Sequence, residues 1–173
     1  MLLRTILASI ALTTWGQLVA AQTGSGSMGI KQDEPLTGTS IKREIAKSTG
    51  VPFDKEWNEL SREQQRVVRG EYDNLPEDSE PPFPIGGIRS LYGPIAKAYQ
   101  NLSARIGEGE ILMLAYIDAA GRPTKIEVYK TVDDKQFTAF AASTIMSAKF
   151  KPAICKGSPC AMPYVVTVKL ERR

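Results

Sequence analysis

Residues 109–131 read "GEILMLAYIDAAGRPTKIEVYKT". "EILMLAYID" predicts a strand, "AAGR" a turn, and "PTKIEVYKT" a second strand with Ile126 and Val128 on one face. Within the first strand, Ile111, Met113, Ala115 and Ile117 point one way and Leu112, Leu114 and Tyr116 the other. A strand apolar on both sides has both faces covered, so this one should be central. Before it, Gly93-Pro94 predicts a helix start with proline at the first helical position. Ile95, Ala98, Tyr99, Leu102 and Ile106 then recur at helical spacing, and Gly107 stops the helix. After it, Asp133, with Gln136 three residues on, predicts a capped helix carrying Phe137, Phe140, Ala141 and Ile145. "KFKPAIC" and "CAMPYVVTVKLE" read as extended. A strand reached through a helix should run parallel to the second strand and beside the first, which leaves it at the sheet edge. The expected class is α+β: a small antiparallel or mixed three-stranded sheet packed with helices in the order α-β-β-α-β, behind a short helical N-terminal region.

The chain opens "MLLRTILASIALTTWGQLVAAQ". A basic residue, a short apolar run and small residues at the cut are the layout of a secretory signal peptide. Residues 1–21 are therefore expected to be removed between Ala21 and Gln22, placing the protein in a periplasm. The alternative is a retained inner-membrane anchor. Ile6 to Ala21 is shorter than the roughly 20 apolar residues of a spanning helix and contains Gly16 and Gln17. Residues 22–39 are rich in Gly, Ser and Thr and read as a flexible linker. "GSGSMG" within them matches the spacing of a dinucleotide fingerprint, but no strand precedes it and no helix follows. Residues 40–80 form an acidic, helical region. Ser40 to Thr49 is one short helix, and "LSREQQRVVRGEYDNL" another, with Ser61 and Gln64 as a capping box and Val68, Tyr72 and Leu75 on one face. Pro76 to Gly87 reads as an extended connector leading into a domain over 81–173.

Cys155 and Cys160 are the only cysteines, and there is no histidine. Two cysteines cannot furnish the roughly four ligands of a zinc site, and the thioredoxin-type motif spaces its cysteines by two residues. In an exported chain the pair reads as a disulfide, with the cysteines facing each other across a four-residue hairpin loop, "KGSP". The absence of histidine removes the commonest general base and the Ser-His-Asp arrangement. Asp133-Asp134 is a helix cap rather than a catalytic pair. No enzyme activity, cofactor or metal is expected. Residues 22–80 carry 8 Lys and Arg against 12 Asp and Glu, and residues 81–173 carry 13 against 7. The two halves could attract each other, and nucleic acid is not an expected partner outside the cytoplasm. Leu112, Leu114 and Tyr116 would leave an apolar face that monomers rarely expose. Trp57, Val68 and Tyr72 are the expected cover, which favours a monomer; a homodimer burying the same face is the alternative.

The ordered set of motifs from "GEILMLAYIDAAGRPTKIEVYKT" to "AKFKPAICKGSPCAMPYVVTVKL" resembles the C-terminal domain of TonB, the transducer that energises outer-membrane receptors. Asp118, Gly121, Phe150, Pro152 and Gly157 fill the family's positions, and the resemblance covers roughly residues 83–170. It implies a module whose last strand, Met162 to Leu170, takes up an extended peptide by adding it to the sheet edge. The contact would run along Tyr164, Val165, Val166, Thr167, Val168 and Lys169. The implied partner is an envelope protein or peptide, such as an outer-membrane receptor segment. A membrane-anchored transducer is the second reading and a structural envelope protein a third. The chain departs from the family in lacking a Pro-rich arm and any histidine. Outward N–H groups alternate, so either Val165, Thr167 and Lys169 or Tyr164, Val166 and Val168 present them; Pro163 has none.

Overall fold

The computed structural model describes the backbone of residues 27–30 and residues 50–171. The expected cleavage site at Ala21-Gln22 and the helix expected over 40–49 lie outside them. Three strands carry the sheet. β3 (Gly109–Ile117) lies between β4 (Pro123–Lys130) and β8 (Met162–Leu170) and is antiparallel to both. This is the expected central strand, and β8 lies at one end of the sheet order. At the other end a short strand, β1 (Ser27–Ile30), runs parallel to Lys125–Val128. The linker expectation does not hold over these four residues, because the outer edge of β4 offers unpaired backbone groups that an extended segment can satisfy.

The first face of the sheet is the main core. Ile111, Met113, Ala115 and Ile117 join Ile126 and Val128 of β4 and alternate residues of β8, all buried. Two helices cover them: α2 (Arg89–Ile106) through Leu91, Ile95, Tyr99 and Ile106, and α3 (Lys135–Met146) through Phe137, Ala141 and Ile145. α2 begins before Pro94, which lies inside the helix, and not at it. The Arg89 N–H donates to the Phe53 carbonyl at 2.7 Å, and Ser90 N–H and Oγ both donate to Gly87 O. One tertiary partner, Phe53, and one local partner, Gly87, thus serve the first N–H groups. Pro94 faces solvent, and Gly93 before it has no Cβ to crowd the proline ring. α3 is capped by Asp134, one residue later than expected, its carboxylate accepting from Phe137 N at 2.8 Å. The Arg105 guanidinium meets the same carboxylate at 2.7 Å. Phe140 points outward, 43% exposed, and is not part of the core.

The second face is covered from within the chain by Tyr72, as expected, whereas Trp57 and Val68 pack elsewhere. α1 (Arg62–Arg69) has the expected capping box, with Ser61 N–H donating to Gln64 at 2.9 Å. It stops at Gly70, so Val68 and Tyr72 do not share a face. Tyr72 turns onto Leu114, Tyr129 and Val165, with Leu75 beside it. Val68 packs with Trp57, Val51, Leu60, Phe83 and Ile88 in a separate cluster. That cluster is tied to the C-terminal half by β2 (Phe83–Pro84), antiparallel to β5 (Phe150–Lys151). Lys151 reaches Glu80 at 2.8 Å and lies 5.4 Å from the centre of the Trp57 ring. The connector 76–87 is therefore partly buried structure.

Two turns depend on glycine. Gly121 (φ 78°) closes the β3–β4 hairpin, and its carbonyl accepts the Phe150 N–H at 3.0 Å. A Cβ there would overlap the Phe150 carbonyl. Gly157 (φ 78°) follows Lys156 (φ 51°) in a two-residue turn joining β6 (Ala153–Cys155) to β7 (Ser158–Cys160). The disulfide between Cys155 and Cys160 is present, with Cα atoms 5.8 Å apart. The loop is two residues rather than four, because consecutive positive φ values suit the tight turn that matches strand twist. Cys155 therefore pairs with Ser158 and Cys160 with Ala153, so the bridge runs diagonally.

Gly157→Ala should cost about 1–2 kcal/mol, since only the left-handed conformation opposes it and nothing lies within 4 Å. Gly121→Ala should cost clearly more, because the Phe150 contact is lost as well; urea unfolding of the pair checks the order. Thiol labelling without reductant should find neither cysteine, and the Cys155→Ser, Cys160→Ser double change should cost about 2 kcal/mol on the chain-entropy account with the fold retained.

Candidate functional site

β8 is nine residues long and, among the described residues, pairs on one side only, with β3. Its register is unbroken from Met162↔Ile117 to Leu170↔Gly109. In an antiparallel ladder a residue's N–H and C=O point to the same side, and the side alternates along the strand. Two contacts decide the phase. The Pro163 carbonyl accepts from the Tyr72 hydroxyl at 3.0 Å, so Pro163 faces away from β3. Opposite it, the Tyr116 carbonyl accepts from Thr124 Oγ1 at 3.1 Å, on the β4 side. Val165, Thr167 and Lys169 therefore carry the outward backbone groups, and Tyr164, Val166 and Val168 bond to β3. The Thr167 N–H is turned toward the Tyr92 hydroxyl, in agreement.

Side chains alternate on the same period. Tyr164, Val166 and Val168 are buried against the helices, the Tyr164 ring 5.3 Å from that of Phe150. Val165 is buried on the second face, Thr167 is half-buried, and Lys169 is exposed. The edge is thus flanked by residues that come before β3 in sequence. Tyr72 lies on one side, Tyr92 from the second turn of α2 on the other, and exposed Phe53 packs edge-on at 6.3 Å from Tyr92. Glu71 completes the group. Burial raises its carboxyl to about 7. Burial likewise raises the hydroxyls of Tyr72, Tyr92 and Tyr164, and the Glu71 charge adds to each. Thr167 Oγ1 is buried without a hydrogen-bond partner among the described residues.

Of these flanking groups only Tyr72 is legible beforehand, as cover. Tyr92 lies before the glycine-proline pair that suggests a helix start, and Glu71 stands in a run whose periodicity continues past the true helix end. Neither carries a local signal.

A second polar cluster lies on the same second face of the sheet, over β4. Glu127, 2% exposed, accepts from Tyr116 at 2.9 Å, Tyr129 at 2.8 Å and Lys125 at 2.6 Å. Burial alone would raise its carboxyl, but the three hydrogen bonds and the Lys125 charge outweigh burial and bring it down to about 2. A carboxylate held ionised by three donors is poorly matched to proton transfer near neutral pH, and its place is structural. Among the described residues no group of three His, Cys, Asp or Glu could hold a metal ion, and no helix is long and apolar enough to cross a membrane. No protein-family model matches the chain, and no curated protein is similar to it.

Glu71 sets a pH dependence. Its folded value, about 7, lies above the ordinary 4.5, so the native state holds the extra proton between these values. The resulting stability is fully present below about 4.5 and is lost as pH rises through about 7. Urea midpoints from pH 4.5 to 8 should therefore fall more for the wild type than for Glu71→Gln, and the two curves should be parallel above pH 8.

Proposed function

We propose that the chain is a protein-binding module of the cell envelope that takes up an extended peptide by strand addition along the outer edge of β8. The observation that carries this reading is a nine-residue strand that, among the described residues, is paired on one side only, with the outward phase assigned to Val165, Thr167 and Lys169. Backbone bonds to those residues would supply affinity, and alternate side-chain positions would supply selectivity. Tyr72 meets one of the edge groups, the Pro163 carbonyl, through a single hydroxyl. An incoming backbone can replace such a contact with a ladder bond at modest net cost, because one hydrogen bond is exchanged for another. The resemblance of residues 83–170 to the TonB C-terminal domain supports the same reading and suggests a receptor segment as the peptide. The export expected from residues 1–21 rests separately on their short apolar run and on Val19 and Ala21.

Proline scanning against peptides selected by display on the full chain tests the mode of binding. Val165→Pro, Thr167→Pro and Lys169→Pro should each lower affinity at least about tenfold while the fold survives, because an outward donor is removed and the approach of the strand obstructed. Tyr164→Pro, Val166→Pro and Val168→Pro remove bonds to β3 and should instead lower stability in urea. Thr167→Ala should change affinity less than Thr167→Pro. Equal tolerance at the three outward positions would remove the edge from the mechanism.

A further inference from the structure

The outer edge of β8 and its flank hold two polar groups without a partner among the described residues, Thr167 Oγ1 on the strand and Glu71 beside Tyr72. Glu71 makes no ion pair and no side-chain hydrogen bond with the described residues, although its charge is felt by three tyrosines around the edge. The basic residue nearest to it in sequence, Arg69, is committed elsewhere: its guanidinium donates to the carbonyls of Ser79 and Pro76. Thr167 Oγ1, on the outward-facing residue beside Tyr92, is buried without a partner. A half-buried carboxylate without a counter-charge is costly, and the cost is removed when a cation reaches it. Tyrosine rings beside a carboxylate also favour a cation by the attraction of their faces for positive charge.

We infer that the β8 edge selects a basic peptide: a Lys or Arg of the incoming strand places its cationic head at Glu71, among Tyr72, Tyr92 and Tyr164, while its backbone pairs with Val165, Thr167 and Lys169. This deepens the strand-addition reading and rests on it. The carboxylate is a strong acceptor, and it stands beside the tyrosine whose hydroxyl marks the start of the outward-facing backbone. A basic side chain on the strand face toward Tyr72 meets it, and Lys or Arg has the length to reach past the edge with its alkyl stem against Val165. An acidic residue at that position would be repelled by Glu71.

The test is a decapeptide display library selected in parallel on the full-length wild-type chain and on full-length Glu71→Gln, with binding of the resulting synthetic peptides measured by fluorescence anisotropy. The expected result is enrichment of Lys or Arg at a single peptide position on the wild type and its loss on Glu71→Gln. For a selected peptide, Glu71→Gln and replacement of its basic residue by Met should each weaken binding about tenfold, and the two together should weaken it no further. Glu71→Lys paired with a peptide carrying Glu at that position should recover part of the loss. Peptides that bind, are sensitive to Lys169→Pro, and show neither basic enrichment nor coupling to Glu71 would overturn the inference and leave strand addition standing. Peptides insensitive to proline at Val165, Thr167 and Lys169, or a selection that yields no binder, would overturn both.

Discussion

β3 is apolar on both sides, and both of its faces must be kept from water. Ile111, Met113, Ala115 and Leu114 are fully buried although successive residues point in opposite directions. One face is covered by α2 and α3, as a small sheet with crossover helices ordinarily arranges. The other has no layer of regular structure among the described residues, and the fold covers it with Tyr72 and Leu75, side chains from an irregular turn after α1. Burying apolar side chains of this kind is worth roughly 1.5–3 kcal/mol each, which helps to hold the N-terminal region against the sheet. The charge difference between the two halves contributes far less. Among the described residues only Lys151 to Glu80 pairs across it, and a partly exposed pair is worth at most about 1 kcal/mol.

Covering the second face has a consequence at the edge. Once Tyr72 lies over Val165, its hydroxyl falls on the Pro163 carbonyl, and Glu71 is carried to the rim with it. The sheet thus solves two problems with one turn. The apolar face is shielded, and the edge, which would otherwise invite pairing with a second copy, has one outward group, the Pro163 carbonyl, engaged by Tyr72. Pro163 adds to this by presenting no N–H where its carbonyl faces away from β3. What the arrangement does not neutralise is the Glu71 carboxylate. An edge defended by a single hydroxyl and an unpaired charge excludes a like copy of itself more strongly than a strand of opposite charge.

The sheet and its order are legible in the sequence because β3 and β4 carry period-two alternation across an unmistakable turn, and α1 carries a complete capping box. The register of α2 is legible through Ile95, Tyr99 and Ile106, but its start is not. Pro94 suits a first helical position, and the Phe53 carbonyl, far from Arg89 in sequence, is what supports the earlier turn. Asp133 and Asp134 are equivalent as caps on composition; the Arg105 guanidinium and the Phe137 N–H choose between them. The cover of the second face is read correctly as coming from the N-terminal region and incorrectly as including Trp57 and Val68, because helical periodicity carried past Gly70 places Tyr72 on their side. The outward phase of β8 rests on contacts from Tyr72 and Thr124, which no local pattern in Met162 to Leu170 contains.

The stapled hairpin is the element that makes these pieces hold their relative positions. β6 is flanked on one side by β7 and on the other by Glu80, which exchanges two backbone hydrogen bonds with Ile154 at 2.8 and 2.9 Å. Cys160, bridged to Cys155, stands two residues before β8 begins. The disulfide therefore ties the entry of the edge strand to the segment that carries Glu80, and the side chain of Arg69 in turn holds that segment by the carbonyls of Pro76 and Ser79. Glu71 and Tyr72 follow directly from Arg69. A closed circuit of chain thus runs from α1 through Glu80 and the hairpin to β8 and back through the Tyr72 hydroxyl. Closing a short ring adds little to global stability, but in this circuit it restrains the distance between the carboxylate and the edge it stands beside. On this account the bridge serves the geometry of the edge more than the survival of the fold.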